Sequence, residues 1–145
     1  MQGTLHDNVD APVALKAQSI TTNATFTGEI LDLGGGDNRE LLLVFTTGTF
    51  TLGGGTVNLA IFEADKNDMT GESQVGSNRA ITTELVASTR TVYRYFAERH
   101  KRFIRFKVIF AGGTAHQLDV AAVAVHGGNA TKGGIITLEA TLADS

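Results

Sequence analysis

Residues 93–110 read YRYFAERHKRFIRFKVIF, and they contain the clearest strand pattern in the chain. Successive side chains of a β-strand point to opposite faces of its sheet. The first face is apolar and consists of Ile104, Phe106, Val108 and Phe110. The second face is mixed and consists of Lys101, Phe103, Arg105, Lys107 and Ile109. The pattern therefore predicts a strand with one face in a core and the other partly exposed to water.

Seven further segments have strand length and composition, and glycine clusters separate many of them. These segments are 15–22, 26–33, 40–47, 56–63, 79–86, 90–96 and 117–126, and a last candidate follows at 135–142. Glycine occurs 17 times and proline once. The sequence contains no convincing helix pattern, so strands and helices do not alternate along it. Short strands joined by glycine turns predict an all-β fold, an antiparallel eight-stranded β-sandwich of the jelly-roll type. An immunoglobulin-like sandwich is the alternative, although its Cys and Trp landmarks are missing.

The domain organisation follows from length and from the two ends of the chain. With 145 residues, the chain forms one domain that can bury roughly two-thirds of its unfolded surface. Residues 1–14 have weak periodicity and contain Pro12, so we expect an extended N-terminal arm. Residues 15–145 form a single β-sandwich domain that ends in a glycine-rich strand or arm. Residues 65–78 are polar and predict a long surface loop.

Positive charge is concentrated around the central strand. Residues 90–107 hold seven of the twelve basic residues and one of the fifteen acids, whereas the whole chain has a net charge of −3. A nucleic-acid-binding domain is usually basic overall, so this balance argues against direct nucleic-acid contact. The basic side chains either pair with acids of neighbouring strands or form a protein-docking surface, because Arg and aromatic residues are enriched at interfaces.

The sequence shows no catalytic or metal-binding constellation. Cysteine is absent, the four histidines are separated, and the loop beginning at Asp65 departs from the calcium-loop pattern at its fifth and sixth positions. No nucleophile or phosphate-loop motif is present. We therefore expect no enzyme activity, no cofactor and no metal. The N-terminus does not have the pattern of a signal peptide, and no apolar run suits a membrane helix.

Several segments, taken in order, resemble the small jelly-roll cement or decoration proteins of tailed-bacteriophage heads. They are ILDLGGG (30–36), ELLLVFTTGTFTLGGGTVNLAIFEAD (40–65), RFIRFKVIFAGGTA (102–115) and LDVAAVAVHG (118–127). The resemblance covers about 100 of the 145 residues. It departs from the family in longer arms and in the basic segment 94–102. Another viral sandwich could share the same strand and turn pattern.

The resemblance implies a non-enzymatic protein that binds the outside of the assembled capsid and bridges major capsid subunits. The implied partners are the major capsid protein and further copies of this chain, as a homodimer or homotrimer, with no nucleic acid or membrane partner. It would be made in the host cytoplasm and reside on the virion exterior. The expected contact residues combine both ends with the basic region: Leu5, Val9, Val13, Tyr95, Arg99, Arg102, Ile135 and Leu138. The alternative function is a carbohydrate- or host-binding sandwich on a phage tail or base plate, which predicts an exposed aromatic platform.

Overall fold

The computed structural model describes residues 13–34, 39–97, 101–114, 117–129 and 135–143. These residues form eleven strands and no helix, so they include no helix that could cross a membrane. The strands are β1 (Val13–Ile20), β2 (Ala24–Thr27), β3 (Leu31–Asp32), β4 (Arg39–Thr51), β5 (Thr56–Ala64), β6 (Ser73–Gln74), β7 (Arg79–Ala80), β8 (Thr89–Ala97), β9 (Phe103–Ala111), β10 (Gln117–Asn129) and β11 (Ile135–Ala143). Three of them, β3, β6 and β7, contain two residues each. Of these, β3 and β7 lie inside the predicted segments 26–33 and 79–86, whereas β6 lies in the predicted loop 65–78, so the structure has more strands than the predicted eight.

Two antiparallel sheets form the domain. Sheet A has the order β1-β10-β4-β8-β11, and sheet B has the order β2-β9-β5-β6. The strand β3 also pairs with β9, so β2 and β3 lie one after the other along the same edge of sheet B. In the same way, β6 and β7 both pair with β5 along the opposite edge.

The pairing is nested, because strands from the first half of the chain pair in reverse order with strands from the second half. The outermost pair is β1 with β10, followed by β2 and β3 with β9, β4 with β8, and β5 with β6 and β7. This is the arrangement of a jelly roll, and it confirms the predicted fold class. The strand β11 adds a fifth strand to sheet A beside β8.

The core lies between the two sheets, where alternate side chains of each strand meet. The predicted core face of β9 is confirmed, since Ile104, Phe106, Val108 and Phe110 are at most 3% exposed. From sheet A, Phe45 and Tyr93 pack edge to face with ring centroids 5.9 Å apart. Burial of such side chains is the main favourable term that holds the sheets together.

The region after β5 differs from the prediction. Residues 79–86 were expected to form one strand, but only Arg79–Ala80 does so. The amide groups of Glu84 and Leu85 both donate to the carbonyl of Ile81, which forms a tight turn. Ile81 and Leu85 are both buried. Residues four apart lie on the same face in a strand and also in a single helical turn, so the sequence spacing fits both. The hydrogen bonds to the Ile81 carbonyl identify the turn.

The predicted arm overlaps the first strand. Residues 1–14 were expected to be extended outside the domain, but β1 begins at Val13 and Ala14 is 1% exposed. The Glu29 amide donates to the Ala14 carbonyl at 2.8 Å, which ties the β2–β3 link of sheet B to the edge of sheet A. Gly28 permits this approach, because a Cβ atom there would lie 2.3 Å from the Ala14 oxygen. Residues 1–12 lie outside the described residues.

Candidate docking surfaces

The outer face of sheet A is apolar across neighbouring strands. Register aligns Val13 with Val123, Val123 with Val44, and Val44 with Val92, so one valine row crosses four strands. The next row pairs Val125 with Leu42 and Leu42 with Arg94, so the outward Arg94 borders the apolar residues on β8. We call these six residues the apolar face: Val13, Leu42, Val44, Val92, Val123 and Val125. Val13 is 48% exposed and Val123 is 37% exposed, and the other four are half-buried by their neighbours.

The composition of β4 explains why this face is apolar. Residues 41–45 read LLLVF, and Leu41, Leu43 and Phe45 point into the core. The intervening Leu42 and Val44 must then point outward, because side chains alternate along a strand. A continuous apolar run is typical of a strand that is covered on both faces. In sheet A the core covers one of those faces.

The outer face of sheet B is charged, and its charges pair within the domain. Glu72, from the loop between β5 and β6, accepts hydrogen bonds from Arg105 at 2.9 Å and from Lys107 at 2.6 Å. The Lys107 ammonium also lies 4.0 Å from the centre of the Phe62 ring. The three charged side chains are only about one-fifth exposed. We call Glu72, Arg105 and Lys107 the charged face.

The environment of Glu72 shows which effect controls its ionisation. Burial raises the pKa of the Glu72 carboxyl, but hydrogen bonds and positive charge from Lys107 and Arg105 outweigh that effect. The net result is a pKa below its ordinary value of 4.5. Glu72 is therefore held as a carboxylate that ties its loop to β9.

The basic corner predicted at residues 99–102 is partly used inside the domain. Arg102 donates two hydrogen bonds, at 2.8 and 2.9 Å, to the two carboxylate oxygens of Asp32. These hydrogen bonds and the Asp32 charge raise the pKa of Arg102. Its guanidinium carbon lies 5.2 Å from the centre of the Phe103 ring. The Arg102 side chain is still 56% exposed, so it remains accessible, whereas Arg99 lies outside the described residues.

Tyr95 corrects one predicted contact. Its side chain is 2% exposed on the inner face of β8, so it belongs to the core and cannot touch a partner in this fold. Burial, and secondarily the charge of Glu63, raises the pKa of Tyr95 to about 12. The sequence contained the relevant signal. Residues 90–95 read RTVYRY, which places Arg90 and Arg94 on one face and Tyr93 and Tyr95 on the other.

The remaining predicted contacts fall at different places in the chain. Val13 is exposed at the edge of the apolar face. Ile135 and Leu138 lie in β11, where they pair with Phe96 and Tyr93, so their backbone belongs to sheet A rather than to a separate arm. Leu5 and Val9 lie outside the described residues. Val13 thus lies at the β1 edge of sheet A, whereas Arg102 binds Asp32 beside the β3–β9 pair of sheet B.

A polar cluster near β8 is structural. Glu84 accepts hydrogen bonds from the Tyr93 hydroxyl at 2.8 Å and from Arg79 at 2.9 Å. Burial and the neighbouring Glu84 carboxylate raise the pKa of Tyr93. Tyr93 is fully buried, and the Arg79 and Glu84 side chains are 31% and 21% exposed, so the cluster anchors the Tyr93 hydroxyl at the border of the core. Among the residues that the structure describes, no group of three His, Asp or Glu side chains is placed to hold a metal ion.

No protein-family model and no curated protein matches this chain. Similar folds occur among solved structures. The chain aligns over 94% of its length with the infectious bursal disease virus VP2 subviral particle, with a TM-score of 0.53 and 15% identity, and covers 38% of that chain. It aligns over 83% with a chain of T=1 particles derived from infectious bursal virus, with a TM-score of 0.52 and 15% identity, and covers 32% of that chain. The chain therefore shares a β-sandwich fold with these proteins and spans about a third of their length.

Proposed function

We propose that this chain is a non-enzymatic structural component of a virus particle. More narrowly, we propose a bacteriophage head cement protein that binds the outside of the assembled capsid and bridges major capsid subunits. The observation that carries the proposal is the jelly roll shared over 94% of the chain with a subviral particle protein. One fold can serve many functions, so the chemistry of the two outer faces provides a second, independent basis for the proposal.

The surface chemistry favours assembly over ligand binding. The apolar face lies outside the core, and contiguous apolar surface of this kind is typical of protein interaction sites. A carbohydrate-binding sandwich would instead present aromatic rings to solvent. The exposed large hydrophobic side chains among the described residues are Val13, Ile30, Val86 and Val123, and none is aromatic.

The proposed capsid contacts combine an apolar part with a charged part. Leu5, Val9 and Val13 at the N-terminal end would supply apolar contact area, and Ile135 and Leu138 would supply it at the C-terminal strand. Arg99 and Arg102 would guide the encounter with the capsid, because exposed charges act mainly on association rate and register. Under this proposal the protein is made in the host cytoplasm and resides on the virion exterior.

A second candidate function is a subunit that forms a shell by itself. It is favoured by the similar structures, which are those of a subviral particle and of T=1 particles. The two candidates differ in what the purified protein does alone. A shell subunit forms closed particles that electron microscopy can see, whereas a cement protein forms particles only together with a capsid protein.

Sedimentation with capsids tests the cement proposal. Purified protein is mixed with phage capsids prepared without it and centrifuged through a sucrose cushion. Unassembled major capsid protein serves as the control partner. We expect the protein to pellet with assembled capsids, to saturate at a fixed ratio, and to raise the temperature at which the capsids open. Protein that stays in the supernatant, although shown to be folded, would contradict the proposal.

A further inference from the structure

We infer that the apolar face binds a second copy of this chain, so that two sandwiches pack sheet A against sheet A about a two-fold axis. This inference concerns how the chain associates with itself, and it holds whether or not the partner is a capsid. The surface that carries it is the row Val13, Val123, Val44 and Val92, with Leu42 and Val125 beside it.

The shape of this face suits sheet-on-sheet packing. Its side chains are branched and aligned in register across adjacent strands, so they present ridges of similar height. Two sheets pack face to face about 10 Å apart when such side chains interdigitate. The charged face of sheet B has no comparable surface, since Glu72 and its loop already lie against Arg105 and Lys107.

The area of sheet A matches what a stable pair requires. Five strands spaced about 4.8 Å apart give a width of about 24 Å, and nine residues at about 3.3 Å each give a length of about 30 Å. The outer face of sheet A as a whole therefore covers about 700 Å², close to the roughly 800 Å² that each partner contributes to a specific interface, and the apolar face lies within it.

Symmetry favours a second copy as the occupant. In sheet A, β4 is the central strand, with β10 on one side and β8 on the other. A two-fold axis parallel to β4 places β8 of one copy over β10 of the other, and each contact then occurs twice. The same operation brings the outward Arg90 of β8 toward the outward Asp119 of β10. Arg90 and Asp119 thus carry opposite charges that approach each other between copies in the orientation that also joins the valine rows.

The first test measures mass against concentration. Analytical ultracentrifugation of the unaltered chain should show a monomer–dimer equilibrium. The Val44→Glu variant should dimerise at least about a hundredfold more weakly, because the two-fold axis would bury two unpaired carboxylates. The matched control is Val86→Glu, since Val86 is an exposed valine outside this face. Circular dichroism must show that both variants are folded. A strictly monomeric unaltered chain, or a folded Val44→Glu variant that dimerises normally, would overturn the inference.

The second test does not depend on a disruptive substitution. The chain has no cysteine, so Val44→Cys introduces a unique thiol on the central strand. A short bismaleimide should join two copies through position 44, because the axis lies close to β4. The Val86→Cys variant should remain uncrosslinked at the same concentration. Equal crosslinking of the two variants, or none at position 44, would overturn the inference.

Discussion

The two outer faces of this sandwich follow the same alternation rule and have opposite chemistry. On sheet A, Val44 and its neighbours across the strands are apolar. On sheet B, the corresponding positions of β9 are Arg105 and Lys107, and the loop that carries Glu72 pairs with both. On sheet B the charged side chains pair with each other inside the domain. On sheet A branched apolar side chains remain in contact with water.

This difference favours one face over the other as a surface for association. Paired charges that are one-fifth exposed gain little from a further partner, because a new interface would have to desolvate them. Apolar side chains gain about 25 cal/mol for each Å² removed from water. The apolar face is consequently the better candidate for association, and the charged face is the better candidate for stabilising the isolated domain.

The largest expected effect concerns the inner face that both sheets share. The Phe106→Ala substitution should lower the free energy of unfolding by about 3–5 kcal/mol, through lost burial and a cavity. Urea denaturation measures this loss. Phe103→Ala, on the outer face of the same strand, is the matched control and should cost clearly less, because Phe103 is half-buried. A loss below about 1 kcal/mol for Phe106→Ala would contradict the assigned core face.

The next effect tests whether the charged face stabilises the domain. Glu72→Gln removes the carboxylate and leaves Arg105 and Lys107 beside each other, so we expect a loss of about 2 kcal/mol. The control is Glu29→Gln, whose pair with Lys16 is 3.9 Å long and well exposed. That control should change stability by less than about 1 kcal/mol. Equal losses in the two variants would argue against a special role for Glu72.

Acid should weaken the same interaction. The folded state lowers the pKa of Glu72, so its contribution to stability is complete above the ordinary value of 4.5 and is lost as the pH falls through the folded pKa. Urea midpoints measured from pH 6 downward should therefore fall more steeply on the acid side in the unaltered chain than in Glu72→Gln. Identical slopes would show that Glu72 does not contribute to the acid sensitivity.

A smaller effect concerns the N-terminal segment. Deletion of residues 2–12 leaves β1 intact, because that strand begins at Val13. We expect the shortened domain to fold normally and to bind capsids at least tenfold more weakly, about 1.4 kcal/mol. A chain in which the order of residues 2–12 is scrambled provides the control for length. Unchanged capsid affinity in the folded deletion variant would refute a role for Leu5 and Val9.

Local sequence patterns predicted much of the fold. The alternation from Ile104 to Phe110 gave the buried face of β9, and the glycine-separated apolar segments gave the all-β class and the jelly roll. The continuous apolar run at residues 41–45 also contained the signal for the apolar face, since Leu42 and Val44 could not both point inward with Leu43.

Long-range pairing limited what the sequence could show. Glu72 lies 33 residues before Arg105 and 35 before Lys107, and no local pattern joins them. The basic residues could therefore be interpreted as a docking surface until the structure showed their acidic partners. The loop at residues 65–78 also differs from the prediction of a solvated surface. Met69 in this loop is buried and adopts a φ of 62°.

Thiol accessibility on the two outer faces tests the central claim most directly. Val44→Cys places one thiol on the apolar face, and Thr27→Cys places one on the outer face of sheet B, opposite Lys107. Maleimide labelling rates are compared in dilute protein, in concentrated protein and on capsids. We predict that labelling at position 44 slows at least about tenfold on association, in proportion to the bound fraction, and that labelling at position 27 stays nearly constant. Equal rates at position 44 in dilute and associated protein would contradict the account.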